Sequence, residues 1–142
     1  MLSLTPIVTL LTPKPADFAG HWFRKVSGAA EFAKSHQGLP LPQCWVIRAA
    51  EKTNHIGFGG EDLQIAFDVV IAIENVRTQQ VSERDDALLL YRQAVKTLLL
   101  GHDFNGALKP IQYDGGQVLD YTDGDIYWRD RYLINAMIEN YP

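Results

Sequence analysis

The sequence predicts an α+β fold: a mainly antiparallel sheet of about four strands, a long helix packed on one face and a short helical N-terminal region. Three observations carry this expectation. Leu63, Ile65, Phe67, Val69, Ile71 and Ile73 alternate with Gln64, Ala66, Asp68, Val70, Ala72 and Glu74, and successive side chains of an extended chain point to opposite sides. One face is apolar and the other mostly polar or small, which suits an antiparallel sheet with one covered and one wet face. From Ser82 to Leu100, Ala87, Leu90, Tyr91, Ala94 and Leu98, with neighbours Leu88, Val95 and Leu99, recur at helical spacing, while Arg84, Arg92, Gln93 and Lys96 fall elsewhere. Asp123-Gly124 lies between two strand-like runs, and both residues tolerate the positive φ of a tight hairpin turn.

Taken in order, Thr5-Pro6 suits a helix start, and Ile7, Val8, Leu10 and Leu11 make a short apolar helix that ends before Pro13. Pro13 and Pro15 impose an irregular connection. Trp22 to Val26 reads as a short strand and Gly28 to Lys34 as a brief helix with Phe32 turned inward. Gly38, Pro40 and Pro42 form a break, after which Gln43 to Ala50 has strand composition. Glu51 to Glu61, polar and holding Gly57, Gly59 and Gly60, reads as a mobile loop joining two antiparallel strands. If extended throughout, Leu63 to Val76 would reach roughly 45 Å at about 3.3 Å per residue, so it is bent by a bulge or projects beyond the domain body.

Ser82 is placed to cap the long helix, with Glu83, Asp85 and Asp86 at the positive end of its dipole and Gly101 at its left-handed end. This helix is expected to cover the apolar sheet face, with Leu98 in the core. Phe104 to Pro110 is a loop. Ile111 to Tyr121 reads as a strand with a bulge at Gly115 and Gly116. The last strand, Asp125 to about Ile138, sets Tyr132, Ile134, Ala136 and Ile138 on one face.

At 142 residues the chain has the size of one domain, residues 1–142. Its net charge of −4 gives no general affinity for nucleic acid phosphates. A single cysteine, Cys44, excludes an internal disulfide and sits in an apolar run as a buried small side chain. Met1 to Leu11 lacks the basic leader of a signal peptide, and no stretch approaches the roughly 20 apolar residues of a membrane span.

Assembled chemistry is not visible. His21, His36, His55 and His102 contain no pair at the i, i+4 spacing that shares a metal on a helix. Asp120, Asp123 and Asp125 lack the ligand spacing of a calcium loop. Gly57-Phe58-Gly59-Gly60 has neither a following helix nor the lysine of a phosphate-binding loop. Cys44 with a histidine would make a nucleophile pair only if the fold joined them. Trp22, Trp45, Tyr113, Tyr121, Tyr127 and Trp128 beside Arg129 and Arg131 suggest base stacking, or else an ordinary sheet in which aromatics pair across strands and Arg pairs with Asp. The acidic balance favours the second reading. No catalytic, cofactor-binding or metal-ligating residue is assigned.

The run from Asp86 to Gly101, preceded by Phe67-Asp68-Val69-Val70-Ile71 and followed by Ile111-Gln112-Tyr113-Asp114-Gly115-Gly116 and an aromatic strand ending Tyr132-Leu133-Ile134, resembles the tail terminator, or tail completion, proteins of long-tailed phages and prophages. Val26 to Ala33, ahead of Gln43-Cys44-Trp45-Val46, is similar to the same family's layout. The likeness covers the chain from about Val26 and departs from many members at His102-Asp103-Phe104-Asn105, where Trp and Pro are expected. It implies a minor tail protein that forms a hexameric ring on the last ring of the tail tube, stops tube growth and presents a surface to the head. The implied partners are the tail tube protein, head-tail connector proteins and further copies of the chain, without a membrane, a cofactor or specific nucleic acid. The implied place is the bacterial host cytoplasm during assembly, then the virion tail. The sheet and adjoining loops are expected to make the contacts, with Asn54, His55, Phe58, Arg77, Arg129 and Arg131 as candidates. Another tail-completion or head-tail connector component, a small hydrolase and a nucleic-acid-binding module are the rival readings.

Overall fold

A computed structural model describes residues 3–32, 40–55, 60–74, 81–104, 107, 110–121 and 125–139. The elements run α1 (Thr5–Leu11), β1 (Val26–Gly28), α2 (Ala29–Phe32), β2 (Gln43–His55), β3 (Gly60–Glu74), α3 (Val81–Leu100), β4 (Gln112–Tyr121) and β5 (Asp125–Glu139). They build one five-stranded sheet in the order β1-β2-β3-β5-β4.

This corrects the expected fold class. The sheet is mixed, because β1 runs parallel to β2 while the other neighbours are antiparallel. It has five strands instead of about four and is flanked by two short helices, α1 and α2. The short strand expected over Trp22 to Val26 lies instead at Val26–Gly28, because three residues carry too little alternation to fix their bounds. Trp22 and Phe23, expected in that strand, are buried core residues ahead of it.

The alternation in β3 translates directly into packing. Leu63, Ile65, Phe67, Val69, Ile71 and Ile73 are all buried in one cluster, which Tyr132 and Ile134 of β5 and Cys44 and Val46 of β2 join. Burying each such large side chain is worth roughly 1.5–3 kcal/mol. The layer above this face is shared, not supplied by one helix. Ile7 and Leu11 of α1, Trp22 and Phe23 of the connection, and Leu88, Val95 and Leu99 of α3 all enter the cluster. Polar ties lock that layer: Trp22 Nε1 donates to the Leu11 carbonyl at 2.7 Å, and Tyr91 Oη to the His21 carbonyl at 2.6 Å.

The buried stripe of α3 is therefore rotated from the expected one. Leu99 is fully buried and Leu98 only half-buried, while Leu90 is 55% exposed. The run Leu88-Leu89-Leu90 is apolar around the helix, so spacing alone does not choose among the three. The helix starts at Val81, which places Ser82 inside its first turn. Gly101 does not take the left-handed conformation; among the described residues the positive-φ glycines are Gly20 and Gly115.

The opposite sheet face is not uniformly wet. Around one end, Leu41, Trp45, Val70, Ala72 and Tyr127 make a second buried cluster, with Phe32 of α2 and Ile47 against it. Toward the other end the face is half-exposed and mixed, with Gln64 and Arg131 beside Ala66 and Leu133. The expected loop over residues 51–61 is mostly strand: β2 continues to His55 and β3 begins at Gly60, paired as His55↔Glu61. β2 bends at a bulge between Arg48 and Ala50. The bulge expected at Gly115-Gly116 is present, with a register shift between Tyr113 and Gly116.

Candidate assembly interface

One route by which protein surfaces build rings or filaments is through backbone groups left unpaired within one copy. A strand at a sheet edge offers a row of unpaired amides and carbonyls. Among the described residues, β1 covers only Cys44, Trp45 and Val46 of β2, so residues 47–55 have no strand on that side. At the other margin, β4 pairs with β5 on one side and, among the described residues, with no strand on the other. The sheet thus has two open edges on opposite sides.

The edges differ in chemistry. On β2, Arg48, Glu51 and Lys52 are exposed, and Arg48 forms an ion pair with Glu51. On β4, Asp114, Gln117 and Asp120 are exposed together with Val118 and Leu119, each 43% open to solvent. Adjacent apolar residues in a strand face opposite ways, so the Val118-Leu119 pair was a sequence signal that one of the two would be left outside the core.

What fixes the β4 edge is an acid on the apolar side of β5. Asp130 is 2% exposed. Arg92 of α3 donates to it from Nε at 3.0 Å and Nη2 at 3.1 Å, Trp128 Nε1 donates at 2.9 Å, and Tyr113 Oη donates at 2.9 Å. Arg92 also lies 4.3 Å from the Trp128 ring centre, and Lys96 4.5 Å from that of Tyr113. Burial alone lowers the Arg92 pKa, but hydrogen bonding and charge from Asp130, with Tyr113, more than offset this and hold it above its ordinary value. Burial first, then Asp130, raises that of Tyr113. The bulge makes room for this cluster: a Cβ at Gly116 would stand 2.1 Å from Asp130 Oδ1. The sequence signal for Asp130 is its place between Trp128 and Tyr132 on a core-facing register, where a buried acid requires donors.

The candidate contacts are placed as follows. Asn54 and His55 end β2, opposite Asp62 and Glu61. Phe58 and Arg77 lie outside the described residues, as does the turn at Asp123-Gly124. Arg129 and Arg131 are half-buried on the polar face of β5. Arg131 is held by Asp68 through two hydrogen bonds of 2.8 and 3.1 Å. Beside them, Gln64 donates to Asn135 at 3.4 Å.

The geometry speaks to the rival chemistries. Trp22, Trp45 and Tyr127 are buried, so they offer no open ring to a base. Cys44 is fully buried, and desolvation pushes its thiol pKa well above the ordinary range, away from a nucleophilic thiolate. Among the described residues no group of His, Cys, Asp or Glu is arranged to hold a metal ion.

Comparison with curated proteins found no match. Comparison with protein families found one described as phage tail terminator protein, whose sequence pattern matches residues 19–141. That match takes in every strand of the sheet and α3, so the chain belongs to the phage tail terminator protein family, a family of structural proteins of the phage tail.

Proposed function

We propose that this chain is a single-domain tail terminator that forms a ring on the last ring of the tail tube, stops tube polymerisation there and presents the surface to which the head attaches. Family membership supports the tail role. The observation that carries the ring is the sheet with one open edge on each side. A closed ring requires two different, complementary surfaces on every copy, related by a rotation. The two edges answer that requirement, and hexameric closure is the reading carried from the family resemblance.

In this reading the partners are the tail tube protein on one side of the ring and head-tail connector proteins on the other. The ring assembles in the host cytoplasm and remains in the virion tail. Asn54, His55, Phe58, Arg77, Arg129 and Arg131 are the proposed assembly contacts, with the tip between β2 and β3 reaching the tube or an adjacent subunit. The test is polymerisation of purified tail tube protein watched by electron microscopy. Added at a ratio of one ring per tube, the protein should halt growth and leave short tubes with capped ends. Tubes that grow to the same lengths with and without it would overturn the terminator role and move weight to another connector component. Deleting residues 54–59 tests the tip, and unchanged assembly and tube binding would remove it from the interface.

A further inference from the structure

We propose that the cavity between α3 and the bulged start of β4 is a binding site for a single carboxylate, the side chain of an aspartate or glutamate brought by another protein chain. The site lies wholly within one copy, so it does not depend on how copies assemble.

Size comes first. The cavity holds about 190 Å³ and is lined by Leu89, Arg92, Lys96, Tyr113, Asp130 and Tyr132. Drug-sized ligands occupy roughly 300–1,000 Å³, so this cavity suits a group the size of one side chain. Its rim is open, with Lys96 exposed and Leu89 43% exposed.

The donors inside are not used up. Tyr132 is 0% exposed, and its hydroxyl has no hydrogen-bond partner among the described residues, whereas a buried hydroxyl normally has one. That hydroxyl feels Asp130, Tyr113 and Arg92, which places it at the floor of this cavity. Burial first, then Asp130, raises its pKa, so at neutral pH it keeps its proton and can donate. Lys96 stands over the Tyr113 ring at 4.5 Å and makes no ion pair among the described residues. Asp130, by contrast, already takes four donor contacts from Arg92, Trp128 and Tyr113. The cavity is therefore matched to an incoming acceptor.

Charge selects which acceptor. Arg92 and Lys96 against Asp130 leave one positive charge in excess. A carboxylate neutralises it and accepts a charge-assisted bond from the ammonium. A phosphate dianion would leave excess negative charge beside a buried acid. The apolar rim at Leu89 suits the methylene stem of an Asp or Glu side chain, which gives a protein source the advantage over a small free acid.

Titration of the isotope-labelled full chain, followed by NMR at constant ionic strength, tests the site. The Trp128 indole N–H is the reporter, because it donates to Asp130. Acetate and capped glutamate, with both backbone ends blocked, should shift that signal saturably in the millimolar range expected of small ligands, the capped glutamate binding more tightly. Chloride should not. Lys96→Ala should weaken binding roughly tenfold or more, the scale of a hydrogen bond to a charged group, and Lys96→Arg should retain it. Tyr132→Phe should also weaken binding yet melt no lower than wild type; a merely structural hydroxyl would lower the melting temperature and leave acetate binding unchanged. An absent shift, or one that survives in Lys96→Ala, would overturn the site. Phosphate binding more tightly than acetate would overturn the carboxylate assignment. Succinate binding more tightly than capped glutamate would overturn the assignment to a protein side chain.

Discussion

Asp130 gathers four donor contacts from Arg92, Trp128 and Tyr113 while nearly excluded from water, so removing the charge strands Arg92 beside a partly buried vacancy. Breaking a buried pair costs about 3–5 kcal/mol, and the 25% exposure of Arg92 places Asp130→Ala near the lower end, at about 3 kcal/mol by urea denaturation. Cys44 should be silent to a thiol reagent in the native protein and titrate as one thiol once unfolded, because burial removes both access and thiolate. Asp125, opposite Glu74 across β5 and β3, has its carboxyl pKa raised by desolvation first and by Glu74 second. An acid that holds its proton more tightly when folded opposes folding once it ionises, and stability is lost as pH rises from its unfolded value through the raised one. Asp125→Asn should melt higher than wild type at neutral pH, and the two curves should converge near about pH 3. A mutant that melts lower than wild type at neutral pH and converges with it near about pH 3 would show instead that the Asp125 charge supports the fold.

Among the elements, α3 separates what spacing reveals from what it conceals. Leu99→Ala should cost about 2–5 kcal/mol, whereas Leu90→Ala, at an exposed position, should stay within about 0.5 kcal/mol by chemical denaturation. Equal losses would contradict the rotated stripe. Gly116→Ala should destabilise by about 1–3 kcal/mol, because its Cβ would strike both Asp130 Oδ1 and the Arg129 carbonyl. The apolar face of β3, the inward set Tyr132, Ile134 and Ala136, the buried Cys44 and the bulge near Gly115 were legible, since each is written as alternation, an apolar run or a glycine pair. The bounds of β1 and its parallel pairing were not, the strand being too short for a period. Residues 51–55 carry no strand signature because Glu51-Lys52-Thr53 lies outside the core, where no burial imposes alternation. Leu98 stood in for Leu99 because a run of three leucines fits either stripe. Asp130 was hidden in plain composition: one acid among aromatics looks like surface until α3 brings Arg92 against it.

At the scale of the whole molecule, the family supplies the tail role and the sheet supplies a means of assembly. The helical layer is closed by Trp22, Tyr91 and Leu99, whereas among the described residues the margins β2 and β4 have no further strand beside them and carry unlike charges. Two edges of unlike chemistry support the proposed completion of the sheet by further copies of the chain. The measurement that tests this most directly is the mass of the purified protein by light scattering across a concentration series, alone and with the matching tail tube protein. The account predicts a ring of about six copies, present in the protein alone or appearing when tube protein is added. A strict monomer at every concentration, indifferent to the tube, would contradict it.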